Sequence, residues 1–352
     1  MRKLLITGGA GFIGSHVVRR FVKQYPNDQI FNLDKLTYAG NLENLKDIDQ
    51  SGNYHFIKGD ITDTAFIQNL FETHQFDGVI HLAAESHVDR SISNPMEFVL
   101  TNVIGTVNLL EAAKKAWGSN IEGKRFYHIS TDEVYGALGE TGFFTETTPY
   151  DPHSPYSASK AAADHMARAY FKSVAVPVIT THCSNNYGPF QFPEKLIPLM
   201  IRKASRGEEL PVYGDGGNVR DWIHVSDHCS ALCAALFKGV PGSNYLIGGR
   251  CAKSNLEVVH EIIDIVKEMV PSPSRAVNRE LVRFVEDRPG HDRRYEVDPT
   301  RIEKELGWRA KTSFREGLRD TVQWYFDHEE WIRGIEHKSY LGQRLGLRGI
   351  LE

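Results

Sequence analysis

Asp132 and Glu133 stand side by side behind Thr131, at the end of an apolar run over 125–130 that reads as a buried strand. Open α/β sheets build their active sites at the carboxyl ends of such strands. Two carboxyl groups there supply an acid and a base when burial and like charge push their protonation states apart. Further along, Tyr156 and Lys160 open a helical segment after the turn-rich 150–155. A spacing of four puts phenol and ammonium on one helix face. A free tyrosine, with a pKa of about 10, is a poor base near neutrality. A nearby lysine cation and an oxidised nicotinamide ring both favour its phenolate. Such a phenolate takes an alcohol proton while hydride leaves the same carbon.

A hydride-moving site needs a dinucleotide, and the chain opens with a pattern that binds one. A strand pattern over 3–7 runs into Gly8, Gly9, Ala10, Gly11, Phe12, Ile13 and Gly14, then a helical segment over 15–25. Gly9, Gly11 and Gly14 fit one spacing of dinucleotide turns; Gly8, Gly11 and Gly14 fit another. Both allow a tight turn, close approach of a pyrophosphate, and a helix start whose unpaired N–H groups face it. The next strand, 29–33, ends at Asp34. An acid about 20 positions beyond the glycines accepts from the adenosine ribose 2′-hydroxyl and repels a 2′-phosphate. NAD is therefore expected over NADP, with Lys35 next door working against the repulsion. A strand over 54–58 leads to Asp60, a candidate adenine contact, and a helix is expected over 63–73. The strand 78–82 ends in Ala83, Ala84, Glu85 and Ser86, small enough for a cofactor to lie on the backbone. A long helix over 98–117 has apolar residues around more than one face. A homodimer through the 98–117 and 156–172 helices is expected, with a core helix as the alternative reading.

The 352 residues are 41% hydrophobic and 24% charged, with a formal net charge of −4. That length buries a large core in two or more packed units, and the charge gives no footprint for nucleic acid. Cys183, Cys229, Cys233 and Cys251 lack paired zinc-ligand spacing and read as packed thiols of a reducing compartment. Met1, Arg2 and Lys3 start like a signal peptide, but glycines follow where an apolar stretch belongs. No segment approaches the ~20 apolar residues of a membrane helix, so the cytoplasm is expected, with no membrane partner. His224 and His228 have no third ligand in view, and no metal is expected.

Gly8 to Gly14 with Tyr156 and Lys160 resembles the extended short-chain dehydrogenase/reductase superfamily. Within it, longer runs closely resemble the dTDP-glucose 4,6-dehydratases: D-K-L-T-Y-A-G-N-L-E at 34–43, T-D-E-V-Y-G at 131–136, C-S-N-N-Y-G-P at 183–189, F-P-E-K-L-I-P at 192–198, Y-G-D-G at 213–216, R-D-W-I-H-V at 220–225 and D-R-P-G-H-D-R-R-Y at 287–295. The resemblance spans about 1–325, and 329–352 lies outside it. It implies an α/β fold, a doubly wound, mostly parallel Rossmann sheet with a smaller C-terminal α/β substrate domain. The NAD-binding domain is expected over 1–182 with 225–250 returning to it, and the substrate domain over 183–224 and 251–352.

The resemblance also implies a reaction. Tyr156, with Lys160, deprotonates the C4 hydroxyl of dTDP-glucose as hydride passes to NAD, and Thr131 holds the C4 oxygen. Glu133 removes the C5 proton, Asp132 protonates the C6 hydroxyl so that water leaves, and hydride returns to C6. NAD contacts are implied for Gly8, Gly11, Phe12, Ile13, Gly14, Asp34, Lys35, Leu36, Thr37, Asp60, Ile61, Leu82, Ala83, Ala84, Ser86, Thr101, Tyr156, Lys160 and Asn186. Substrate contacts are implied for Ser86, Thr131, Asn185, Lys195, Leu196, Pro211, Tyr213, Arg220, Asn255, Arg288 and His291. Paired arginines suit a diphosphate, whereas Arg293 and Arg294 read as a solvated basic face. A nucleotide-sugar C4 epimerase is the nearest rival, but it reduces the carbon it oxidised and has no use for Asp132 and Glu133. UDP-, CDP- and GDP-sugar dehydratases stay open, and a silent NAD-binding regulator would lack the reacting side chains.

Overall fold

Apolar runs of four to seven residues become the strands of one parallel sheet, because amphipathic helices follow them and cover both faces. The structure, a computed structural model, describes residues 1–270, 276–287 and 290–338. In chain order the elements are β1 (Lys3–Thr7), α1 (Phe12–Gln24), β2 (Gln29–Asp34), β3 (Tyr54–Lys58), α2 (Thr64–His74), β4 (Gly78–His81), α3 (Val88–Ser93), α4 (Pro95–Phe98), α5 (Gly105–Trp117), β5 (Arg125–Thr131), α6 (Pro155–Val174) and β6 (Val178–Cys183). A further strand, Asn244–Ile247, joins the far edge, and the spatial order is Asn244–Ile247, β6, β5, β4, β1, β2, β3. The order reverses between β1 and β4, which opens a cleft above the carboxyl ends of the strands.

Two apolar layers hold the sheet. On one side Val17, Val18 and Phe21 of α1 share a core with Leu232 and Leu236 of the helix Val225–Lys238. Cys229 and Cys233 are buried in that layer as free thiols. On the other side Ile67 and Phe71 of α2, Leu109 and Leu110 of α5 and Ala167 of α6 form a second core. Each buried Val, Leu, Ile or Phe side chain among them contributes about 2 kcal/mol by leaving water.

The expected single helix over 98–117 is interrupted. Between α4 and α5 the backbone makes a π turn at Val99–Ile104. The turn inverts the usual pattern, burying Asn102 to 1% exposure while Val99, Leu100 and Ile104 remain 42%, 48% and 41% exposed. Phe98, Leu109 and Leu110 are buried, so only part of the apolar pattern faces the core. Such turns concentrate at functional sites.

The remaining chain builds a smaller sheet around Val219–His224, paired with Asn185–Tyr187, Ala252–Ser254 and Arg294–Tyr295. Leu210–Tyr213 pairs separately with Val282–Val285. Helices Leu196–Ser205, Asn255–Met269 and Phe314–Asp327 pack a core of Ile197, Met200, Val258, Ile262, Leu318 and Val322. A capping box starts the second of these helices, with Ser254 Oγ accepting from Glu257 N and the Glu257 carboxylate accepting from Ser254 N. No described helix is long and apolar enough to cross a membrane.

Candidate active site

A cavity of about 350 Å³ opens where the sheet order reverses. Its floor is the glycine turn. Gly8 has φ +73, and a Cβ there would sit 2.6 Å from Ala83 N. A Cβ on Gly14 would meet the Gly8 carbonyl at 2.0 Å, so the helix can approach β1 only without a side chain. Gly8, Gly11 and Gly14 line the cavity, whereas Gly9 faces Asn32 and Val18. The structure thus selects between the two glycine spacings. Helix α1 begins with no side-chain cap and no acid in its first turn, and Phe12, Ile13 and Gly14 line the same space. That cradle fits the diphosphate of a dinucleotide.

At the end of β2, Asp34 accepts from Ala10 N at 2.9 Å and Leu36 N at 2.8 Å. Burial raises its carboxyl above the ordinary value, and the two backbone donors oppose the shift. Lys35 does not soften that acid: its ammonium pairs with Asp60 at 2.8 Å across the ends of β2 and β3.

The reacting groups come from β5 and α6. Thr131 ends β5 and caps the short 3-10 turn Asp132–Tyr135, its hydroxyl accepting from Glu133 N at 3.3 Å. The turn directs Asp132 and Glu133 into the cavity wall. Asp132 is buried, and its Oδ2 has no hydrogen-bond partner. Burial, then the neighbouring Glu133 and Asp221 charges, push its carboxyl well above the usual range. The shift favours its protonated form, and its orphaned oxygen calls for a partner that a ligand can supply.

Helix α6 starts with Ser154 as N-cap and Pro155 in the first turn, which fixes Tyr156 and Lys160 one turn apart at the same cavity. Lys160 Nζ donates to the Ile129 carbonyl at 2.8 Å. Burial lowers its pKa, with the Asp164 charge opposing. Burial and the Glu133 charge push the Tyr156 phenol well up. The expected phenolate therefore depends on positive charge arriving in the cavity with the ligand.

Two buried networks hold these elements. Asn102 of the π turn donates to Ser159 Oγ at 2.8 Å and Glu85 O at 3.0 Å, and accepts from Glu85 N at 2.9 Å. Behind β5, Asp164 accepts from Ser130 Oγ at 2.7 Å and Tyr150 Oη at 3.2 Å, with His128 Nε2 at 2.8 Å and His182 Nε2 at 3.0 Å. These partners hold the Asp164 carboxyl well below the usual range despite its burial.

The cavity wall includes all five residues read as reacting groups, Thr131, Asp132, Glu133, Tyr156 and Lys160. It also includes every residue read as a cofactor contact except Leu36, whose N–H is turned to Asp34. Of those read as substrate contacts, Ser86, Thr131, Asn185 and Lys195 line it. Leu196, Pro211, Tyr213, Arg220, Asn255 and His291 are not part of its wall, and Arg288 lies outside the described residues. Arg220 donates to Val219 O and Asp292 O and stacks 4.2 Å from the Tyr295 ring centroid. Tyr213 and His291 meet with ring centroids 6.2 Å apart. Arg293 is exposed and pairs with Asp215, but Arg294 is largely covered and pairs with Glu296, so only Arg293 fits a solvated face. His228 bonds Asn186 and His224 bonds Ser226, and no metal-holding group of three is found among the described residues.

Sequence reasoning missed Tyr38, Cys183, Ser184, Gln191, Phe192 and Glu194 in the wall and Asn102 behind it. Asn102 had a visible signal, an amide within an apolar helix run, though one that Asn108 shares. Of the others, Cys183 ends β6 and the rest sit in loops; all but Gln191 fall within the runs quoted above for the resemblance, with no chemistry of their own to single them out.

A curated relative from Neisseria meningitidis serogroup B, named dTDP-glucose 4,6-dehydratase, is 52% identical over 98% of this chain and 99% of its own length. The chain belongs to the dTDP-glucose 4,6-dehydratase family. The family model described as GDP-mannose 4,6 dehydratase matches residues 5–321. The two descriptions name different nucleotide sugars, and the near-full-length identity carries more weight for a member of the dTDP-glucose 4,6-dehydratases. The crystal structure of the Bacillus anthracis dTDP-glucose 4,6-dehydratase in complex with NAD superposes with a TM-score of 0.86 at 46% identity, covering 95% of this chain and 100% of that one. A Streptomyces venezuelae dTDP-glucose 4,6-dehydratase with NAD bound gives 0.88 at 44% identity, covering 95% and 99%.

Proposed function

We propose that this chain is an NAD-dependent hydro-lyase that converts dTDP-glucose to its 4-keto-6-deoxy product. The observation that carries the reading is Asp132, a buried carboxyl with a raised pKa and an unpartnered oxygen, set beside Glu133 in the cavity that holds Tyr156 and Lys160. An oxidation at C4 alone uses only the last two. Bound NAD supplies the hydride acceptor, which later returns the same hydride, and a positive ring that lowers the Tyr156 pKa.

Tyr156 takes the C4 hydroxyl proton, and Thr131 steadies the C4 oxygen. The resulting ketone acidifies the C5 hydrogen, because the carbanion delocalises as an enolate. Glu133 removes that proton. Asp132 donates its own to the C6 hydroxyl, so that water leaves and a C5–C6 double bond forms. Hydride then adds at C6 and a proton at C5. Net oxidation is zero, so the cofactor stays bound. Lys160, fixed by the Ile129 carbonyl, lines the same cavity as the phenol. In this reading Arg220 and Arg288 are assigned to the nucleotide diphosphate with Asn255 and His291 nearby, and Asn185, Lys195, Leu196, Pro211 and Tyr213 complete the nucleotide-sugar site.

The reading extends to domain and assembly: an NAD-binding unit over 1–182 with 225–250, and a substrate unit over 183–224 and 251–352. The exposed apolar Met96, Val99, Leu100 and Ile104 support a homodimer through this helical face. Four free cysteines support a reducing compartment, the cytoplasm. Incubation of the pure protein with dTDP-glucose should produce an alkali-induced 4-keto chromophore without added reductant. An unreactive sugar would overturn the reading. UDP-, CDP- and GDP-glucose in parallel fix the base preference.

A further inference from the structure

Gln191, Phe192, Glu194 and Lys195 line the cavity that Gly11, Asp34 and Tyr38 also line. Glu194 contacts two loops that leave different strands. Its Oε1 accepts from the Tyr38 hydroxyl at 3.3 Å, after β2, and lies 3.7 Å from His87 Nε2, after β4. Its Oε2 lies 3.6 Å from the Arg90 guanidinium. His87 Nδ1 accepts from Arg90 N at 3.4 Å, so the proton of a neutral ring sits on Nε2 and points toward Glu194. The Arg90 guanidinium in turn lies 3.7 Å from the Tyr38 ring centroid. The Glu194 side chain is 1% exposed, and charge attraction is stronger there than at a wet surface.

Apolar packing backs the same segment. Phe192 meets Tyr38 edge-on at 5.4 Å and shares a cluster with Ala39, Trp331 and Ile335. Trp331, on the C-terminal helix Glu329–Lys338, donates to Asn44 Oδ1 at 2.8 Å, and Asn44 donates to the Ala10 carbonyl of the glycine turn at 2.9 Å.

We infer that Glu194 is the clasp of the cofactor site: it ties the 191–195 segment to Tyr38, His87 and Arg90 and so slows release of the dinucleotide. The inference rests on the NAD reading above, and it suits a cycle that returns its hydride each turnover. The two ion-pair contacts are longer than hydrogen bonds, so the clasp can open without breaking a forked pair.

The test measures NAD retained by the purified holoenzyme at intervals after desalting, by chromatography of the acid extract. Glu194→Ala is expected to release NAD at least 10-fold faster than the unaltered protein. Glu194→Gln should fall between them, since its one amide oxygen can still accept from Tyr38 but the charge facing Arg90 is lost. Melting curves report whether each variant folds. If Glu194→Ala does not, Arg90→Ala and Tyr38→Phe carry the comparison, each with faster release expected. Equal release from the unaltered protein and the folded variants overturns the clasp while leaving NAD as cofactor. Unaltered protein that neither contains nor takes up NAD overturns the cofactor reading instead.

Discussion

Asn102 donates to the Ser159 hydroxyl at 2.8 Å, joining the π turn before α5 to the helix that carries Tyr156 and Lys160. The same amide exchanges two hydrogen bonds with the Glu85 backbone, in the loop after β4 that lines the cavity. One buried side chain therefore sets the spacing between the cofactor floor and the reacting phenol.

Asn102→Ala leaves those buried groups unpaired and is expected to cost about 2–3 kcal/mol of stability, read by urea unfolding. A small shift of α6 is expected to lower kcat by roughly 10-fold or more. An unchanged kcat in a destabilised but folded variant would make Asn102 purely structural.

Asp132→Asn is expected to slow elimination by about 100-fold or more, the usual worth of a general acid, while raising stability at neutral pH. The folded-state pKa of Asp132 lies above the ordinary value. The folded state therefore binds the extra proton, and the stability this contributes is complete below an ordinary carboxylate pKa of about 3.9 and is lost as pH rises through the folded value. The variant's advantage in melting temperature should grow from acid toward pH 8. A constant difference across that range would contradict a raised pKa.

Asp164→Asn carries the opposite sign. Its folded pKa is depressed, so its contribution is complete above about pH 4 and drains away as pH falls toward the folded value. Loss of about 2–3 kcal/mol is expected at pH 7, with the gap narrowing in acid. Urea unfolding at two pH values measures it.

Asp34→Ser removes the acid at the end of β2 and is expected to improve NADP relative to NAD by at least about 10-fold, a difference of ~1.4 kcal/mol. Reconstitution of cofactor-stripped protein with each dinucleotide gives the ratio. Lys35 remains tied to Asp60, so adding Asp60→Ala should raise NADP binding further by freeing that cation.

The strands and helices that build the cleft were legible because their apolar periods and glycine spacing are local. Thr131, Asp132, Glu133, Tyr156 and Lys160 were legible as a group because each lies at a strand end or helix start. The π turn was hidden, since Val99, Leu100 and Ile104 read as buried positions and nothing local forces Asn102 inward. The Lys35–Asp60 pair depends on β2 and β3 being neighbours in the sheet, which sequence order alone leaves open. Glu194 was invisible for a related reason: Tyr38 in a loop and His87 and Arg90 at the start of α3 are about 100 or more positions away in the chain. The C-terminal helix has no local signature, because Trp331 and Ile335 find their partners on Phe192 and Tyr38.

The division of labour between Tyr156 and the paired carboxyl groups is tested most directly by Glu133→Gln with dTDP-glucose in deuterated water. Reduced-nicotinamide absorbance and deuterium uptake at C5 are followed through a single turnover. The account expects the absorbance to rise and stay, with C5 exchange falling by about 100-fold or more. Loss of both signals together, or C5 exchange at the unaltered rate, would contradict it.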